Sequence, residues 1–410
     1  MRFSESLGPL HTGSYVGKGA YLSEFSVAVD LSCLISRPMT GVGYYTRNLF
    51  DALVKREPSV ALRPFLASAQ APPEDLPQIL QGMPRAACYR FPTRWKNALW
   101  TQWEFPPLAW MTGKTDIVHG AFHLLPPARH AKRVVTLFDL AGMRRAAIHD
   151  DGEQATHRKL LAHAIPRADG IFAISQSCRN DCIELLGADP QRVYVVPGGV
   201  TLGEFEGAPN EALLQSIRER HGIQGDYLIH LGTLEPRKNL ARLVAVYGRL
   251  AAQYDDLPQL VLAGGKGWMY EPIFEAIEKF RLQDRVVWTD YLSRDEAITL
   301  LRHARACVYP SLYEGFGLPV LEAMAARTPV LTSNVSSLPE VIGETGILVE
   351  PEDDESLEAG LIRLLFDRDD EAQRVERAWQ RAQGMTWDHS AARLRESYEA
   401  VLADRGYGHE

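Results

Sequence analysis

A chain of 410 residues is too long for one ordinary hydrophobic core and fits two domains of about 200 residues each. With 46% hydrophobic and 23% charged residues it has the make-up of a globular protein, which excludes a disordered or fibrous chain; no run of 18 apolar residues could cross a bilayer as a helix. The net charge of −8 is uneven: residues 1–200 hold 22 Lys+Arg against 17 Asp+Glu, and the remainder holds 22 against 35. The positive first half fits an anionic partner such as a lipid diphosphate or a membrane surface, and fits unselected surface charge equally well. The acidic total gives no ground for a nucleic-acid partner.

Residues 1–24 carry Arg2 but no apolar stretch, and read as a loose extension rather than a secretory signal. The first strand lies in 25–35, followed by a loop with Gly41-Val42-Gly43 and a helix through Tyr44–Val54, the opening of a doubly wound α/β unit. Residues 94–110 hold four of the eight tryptophans. Trp100 and Trp103, at helical spacing, suggest a packed face, while Arg90, Arg94 and Lys96 beside them leave open a peripheral bilayer contact that admits a polyprenyl-linked acceptor. Further strands are expected at 116–120, 133–139, 170–175 and 192–197. After a polar crossing a second alternating series follows at 227–232, 259–265, 285–290, 306–311, 328–333 and 346–350. Two such series, joined near residue 205, read as two Rossmann-like domains (25–204 and 205–384) facing a cleft, with a final helical stretch in 385–410.

The five cysteines (Cys33, Cys88, Cys178, Cys182, Cys307) lack metal-ligand spacing and read as reduced thiols of a cytoplasmic protein. Asp367, Asp369 and Asp370 lie far from any glycine turn and read as solvated surface, so no metal is expected. The chemistry concentrates in PSLYEGFGLPVLEAM (310–324), where Glu314 and Glu322 bracket a glycine turn that runs into an apolar helix. Gly315 and Gly317 let a ligand approach the backbone, and the N–H groups of the helix start favour an anion. A phosphate cradle flanked by two carboxylates suits a sugar nucleotide. Arg237 and Lys238, after a strand and a turn, are the cations for its diphosphate, with Asn239 capping the next helix. Asp139 ends a strand at the edge where open α/β sheets bind ligands. His119 and His123 end another strand, as cleft-wall contacts to donor or acceptor or as structural residues.

Glu314-x7-Glu322 with GFGLP inside it, HLGTLEPRKNLARLV (230–244), TDIVHGAFHLLP (115–126), RVVTLFDL (133–140), AISQSCRNDCIELLG (173–187) and VYVVPGGV (193–200) together resemble the retaining glycosyltransferases of family 4, group 1 type. The resemblance implies the GT-B fold: an N-terminal acceptor domain, a C-terminal donor domain and a last helix crossing back to the first. It implies that Gly43 brings backbone N–H groups over the diphosphate and that Glu314 orients sugar hydroxyls. Glu322 would bind the ribose, and Gly315, Phe316, Gly317 and Leu318 would hold sugar and phosphate through their backbone. It further implies metal-independent, front-face attack, in which the leaving phosphate takes the acceptor proton; Asp139 is the second catalytic candidate. Leu292 is a candidate wall for the nucleobase. Where many members carry His, this chain has Phe138, whose apolar ring would suit a 6-deoxyhexose, although an ordinary hexose fits if Phe138 packs elsewhere. The reaction expected is transfer of a hexose, from GDP-mannose by the RKN form of the loop, to a lipid-linked glycan at the inner face of a membrane. A rhamnosyl donor, a non-catalytic sugar-nucleotide-binding subunit and a hydrolase or epimerase acting on the sugar nucleotide are the rival readings.

Overall fold

The computed structural model describes residues 24–37, 39–144 and 151–404; of the extension expected over residues 1–24, all but Glu24 lies outside them. The first sheet holds β1 (Phe25–Asp30), β2 (Val60–Ser68), β3 (Ala87–Arg90), β4 (Ile117–Gly120), β5 (Lys132–Leu137), β6 (Gly170–Ala173) and β7 (Val193–Val195), in the order β3-β2-β1-β4-β5-β6-β7. The second holds β8 (Tyr227–Leu231), β9 (Gln259–Ala263), β10 (Val286–Asp290), β11 (Ala306–Tyr309), β12 (Val330–Ser333) and β13 (Ile347–Val349), in the order β10-β9-β8-β11-β12-β13. All neighbouring strands are parallel. Parallel sheets are covered on both faces, and accordingly Val27, Ala28 and Val29 on adjacent positions of β1 are all buried. This is the GT-B arrangement of two Rossmann-like units. Strand order reverses between β1 and β4 in the first sheet and between β8 and β11 in the second. At such switch points a crevice opens beyond the carboxyl ends of the strands.

Strands β2 and β3 were not apparent in the sequence, because Arg63 and Pro64 interrupt the apolar run of β2. Pro64 is tolerated because only β1 lies beside it; pairing with β3 begins at Phe65. The glycine segment 41–43 is not a loop: the helix Gly41–Arg56 already starts there, capped by Thr40, whose Oγ1 accepts from the Gly43 N–H at 3.4 Å. Trp100 is buried against Phe65, but Trp103 is exposed, because Leu99–Trp103 forms a wide π-type turn that breaks the expected common face. Lys96 is buried too, its Nζ donating to Ala67 O at 2.8 Å, and is not available to a membrane.

The final helix, Trp387–Ala403, crosses to the first unit and packs along Gly41–Arg56. Trp387 meets the rings of Tyr44 and Tyr45, and Val401 fills the space left by the missing side chain of Gly170 in β6. His119, at the end of β4, ties this helix to the sheet: its Nδ1 lies 2.6 Å from the Tyr398 hydroxyl and its Nε2 2.7 Å from Thr136 Oγ1. In the second unit His230 of β8 is equally enclosed, stacked on Tyr309.

Burial pushes the imidazoles of His119 and His230 down to a pKa of about 3, helped at His230 by the Lys238 charge. The unfolded chain protonates both near pH 6.5, so their contribution to stability is complete above that pH and is lost as pH falls towards 3. Below pH 6.5 each histidine should cost about 1.4 kcal/mol per pH unit. Urea midpoints measured between pH 7 and pH 5 should therefore fall steadily, and a His119→Gln variant should show a shallower fall; a flat wild-type profile would contradict this burial.

Candidate active site

The two switch points face each other across a cavity of about 560 Å³. From the first unit its wall includes Thr40, Gly41, Val42, Phe122, His123, Phe138 and Asp139; from the second it includes Gly232, Thr233, Arg237, Lys238 and the run Glu314–Pro319. The units touch where the glycine turn meets the end of β5. A side chain at Gly315 would place its Cβ 2.2 Å from the Phe138 carbonyl oxygen, so glycine is needed here for one unit to dock on the other. Gly317 has φ +105° and starts the helix Leu318–Ala325, where a Cβ would meet Leu338 at 2.8 Å. Ser337 clamps the turn by donating to the carbonyls of Glu314 and Phe316 at 2.9 and 2.8 Å, and Ser336 Oγ accepts the Glu314 N–H at 2.9 Å.

Glu314 lies between two cations. Arg237 Nη1 donates to one carboxylate oxygen and Lys238 Nζ to the other, each at 2.7 Å. Glu235 holds the second edge of Arg237 at 2.7 Å, and Lys238 also donates to the Tyr309 hydroxyl at 2.7 Å. Burial alone would raise the Glu314 pKa, but the charges of Arg237 and Lys238 outweigh it and bring it down to about 2. Burial and the Arg237 charge pull the Lys238 ammonium below its usual range; burial also works against the Arg237 charge, but Glu314 and Glu235 outweigh it and hold Arg237 well above its usual range. Asn239 does not cap the following helix with its side chain; it adopts φ +61° and its Nδ2 donates to Pro351 O at 2.6 Å.

The opposite wall is aromatic. Phe138 is buried, edge-on to Tyr45 and beside Phe122, and faces the cavity rather than packing elsewhere. His123 sits at φ +41°, stacked on Phe122 and edge-on to His157. Both of its ring nitrogens are buried without a hydrogen-bond partner, and burial, with His157 adding to it, holds the ring neutral to a pKa of about 4. A neutral imidazole so placed offers one donor and one acceptor to a ligand hydroxyl. Asp139 Oδ1 accepts the Ala141 N–H at 3.2 Å at the rim of the same wall.

Four expected site residues lie off this wall. His119 is in the core, as described. Gly43 is turned onto the segment before its helix, where a Cβ would meet Met39 at 2.9 Å and Cys33 O at 3.5 Å; its neighbours Gly41 and Val42 face the cavity instead. Leu292 is enclosed in the hydrophobic core. Glu322 is buried in the second turn of its helix and pairs with Arg294 at 2.6 Å. Arg294 also pairs with Glu204 at 2.6 Å and covers the Tyr44 ring at 4.7 Å, bridging the two units. Nothing in the sequence singled out Arg294, although the capping box Ser293–Glu296 that fixes its helix start was readable. Among the described residues no three His, Cys, Asp or Glu side chains group to hold a metal ion. Asp370 of the late acidic cluster pairs with Arg374 and Arg363, away from the cavity. Two cations facing an ionised carboxylate can grip a diphosphate and stabilise positive charge developing beside it.

Residues 39–204 match the family described as Glycosyltransferase Family 4, and residues 215–381 match Glycosyl transferases group 1. The chain is 29% identical over 288 residues to O-antigen chain mannosyltransferase B of Escherichia coli, covering 70% of this chain and 75% of that protein. It is 31% identical over 296 residues to a D-inositol 3-phosphate glycosyltransferase of Kineococcus radiotolerans, covering 66% and 67%. To the serotype-specific mannosyltransferase WbdA of Escherichia coli it is 34% identical over 204 residues, 49% of this chain but only 25% of WbdA. Sucrose-phosphate synthase of Thermosynechococcus elongatus has a similar fold, with a TM-score of 0.68 at 19% identity over 92% of this chain and 99% of that one.

Replacing Glu314 by Gln should lower the stability of the ligand-free protein by about 3–5 kcal/mol, since two buried cations lose their shared partner. Pyrophosphate should then restore more stability to Glu314→Gln than it adds to the wild type. Equal pyrophosphate responses in paired urea titrations would show that Arg237 and Lys238 do not face the ligand.

Proposed function

This chain belongs to the group 1, family 4 glycosyltransferases, and on that premise we propose that it moves mannose from GDP-mannose to a growing, lipid-linked glycan with retention of anomeric configuration. The observation that carries this reading is the Arg237–Lys238–Glu314 cluster, set in a cavity between the carboxyl edges of the two sheets. The donor diphosphate takes the two cations, lying between them and the backbone of Gly315–Leu318. The unit spanning 205–384 then holds the donor, and the unit spanning 25–204 receives the acceptor. As the bond from the anomeric carbon to the diphosphate oxygen breaks, the acceptor hydroxyl adds to the same face and its proton passes to the departing phosphate. Glu314, kept ionised by its neighbours, stabilises the positive charge at that carbon. Asp139 and His123 hold sugar hydroxyls from the opposite wall. Glu322 takes the ribose by exchanging its contact with Arg294. Mannose is supported by the likeness to O-antigen chain mannosyltransferase B and WbdA. The position of Phe138 on the cavity wall favours a second reading, a 6-deoxyhexose donor whose methyl group meets that ring.

A panel of GDP-, UDP- and dTDP-sugars without added metal separates these readings. GDP-mannose at about 100 times its dissociation constant should stabilise the protein by about 2.7 kcal/mol. Arg237→Ala and Glu322→Ala should each weaken that response, whereas Glu314→Ala, destabilised without ligand as Glu314→Gln is, should keep the response and lower turnover by about 10²-fold or more. A response confined to a dTDP-6-deoxyhexose would replace the donor, and donor binding without transfer to any glycan acceptor would turn the reading to a non-catalytic subunit.

A further inference from the structure

Among the described residues, every tryptophan that stands exposed comes from one stretch: Trp95 (65% exposed), Trp103 (64%) and Trp110 (72%), joined by Phe105 (49%). The rings of Phe105 and Trp110 meet edge to face at 5.5 Å. The backbone beneath them is fastened down. Trp100 is buried under the stretch, the Leu108 N–H bonds to Pro127 O at 2.9 Å, and the Tyr89 hydroxyl donates to Met111 O. These aromatics therefore stay in water on a firm support, as an interaction surface does.

The exposed charges of the stretch that have no acid beside them among the described residues are all positive. Arg90, Arg94 and Lys114 are exposed, and among the described residues none has a carboxylate within ion-pair distance. Arg63 reaches into the same rim, donating to the carbonyls of Thr112 and Lys114 at 3.3 and 3.1 Å. The acid of the stretch, Glu104, turns away to Arg133 at 3.1 Å. Indole rings lie well at the level of lipid headgroups, and unpaired Arg and Lys beside them attract an anionic leaflet. The stretch starts at the carboxyl edge of the first sheet, where Lys96 meets Ala67 O at 2.8 Å and stands 4.0 Å from Asp30 Oδ2, the edge on which the cavity also opens, and runs back to Lys114 ahead of β4.

We propose that residues 90–114 form a docking face for an anionic bilayer, with Trp95, Trp103, Phe105 and Trp110 seated among the headgroups and Arg90, Arg94 and Lys114 paired with lipid phosphates. The occupant rests on the proposed lipid-linked acceptor for its purpose only; its binding is measured with neither donor nor acceptor present. Full-length protein should co-sediment with vesicles containing phosphatidylglycerol about tenfold more than with pure phosphatidylcholine vesicles, and high salt should reduce the difference. Trp95→Ser/Trp110→Ser should weaken partitioning about tenfold. Arg90→Glu/Arg94→Glu/Lys114→Glu should abolish the preference for anionic vesicles, with an unchanged melting transition in both variants. Wild-type protein that ignores both vesicle types, or binding that neither variant alters, would overturn the proposal. A wild-type dimer split by the tryptophan variant, without vesicle binding, would assign the face to a second copy of the chain. Loss of vesicle binding with transfer to a water-soluble acceptor intact would leave the enzymatic reading standing, and the reverse result would leave the docking face standing.

Discussion

A carboxylate survives as an anion in the middle of this protein only because Arg237 and Lys238 close on it from two sides. Without them, burial would drive Glu314 towards its neutral form. Without Glu314, two cations would be packed together in a poorly solvated corner. Glu235 completes the balance, giving two positive and two negative side chains within direct contact. This mutual dependence fixes the loop after β8 against the loop after β11, and so defines the side of the cavity that the second unit supplies.

The other side depends on how closely the first unit can come. The Gly315 turn touches the Phe138 carbonyl, Cys178 Sγ contacts both the Phe138 and Gly315 carbonyls, and the Tyr313 hydroxyl donates to Asp181 at 2.6 Å. Glu340 adds a further link by accepting the N–H groups of Gln176 and Ser177 at 2.8 and 2.6 Å, at the start of the helix Gln176–Leu186. The cluster of charge and the aromatic wall are thus held at a set separation by the Gly315–Phe138 contact on the cavity wall and by the Cys178, Tyr313–Asp181 and Glu340 contacts behind it.

Much of this could be read in the chain because it is local. Strands buried on both faces announce themselves as apolar runs, and Arg237, Lys238 and Glu314–Leu318 fall within contiguous motifs at strand ends. What could not be read depends on partners distant in sequence. The apolar run of β2 is broken by Pro64, and only the late start of β3 makes that residue acceptable. His119 and His123 are four residues apart in the same segment, yet one is enclosed by Tyr398 and Thr136 while the other faces the cavity. Glu322 was expected to wait for a hydroxyl pair; Arg294, 28 residues earlier, already holds it. The shared face of Trp100 and Trp103 failed for a subtler reason, a single widened helical turn that no residue type in 99–103 demands.

The crossing of the helix Trp387–Ala403 sets an order on assembly. Strands β1 to β7 leave the ribosome first, yet the sheet they form lacks the cover of Tyr398 over His119 and of Val401 over Gly170 until some two hundred further residues have been made. Domains usually complete themselves in the order of synthesis. Here one face of the second sheet, with Leu228, Leu260, Leu262 and Val308, has an apolar cluster of its own and can close before the earlier unit is finished. The half made first must hold an apolar flank open during translation, until the helix Trp387–Ala403 has been made and seals it.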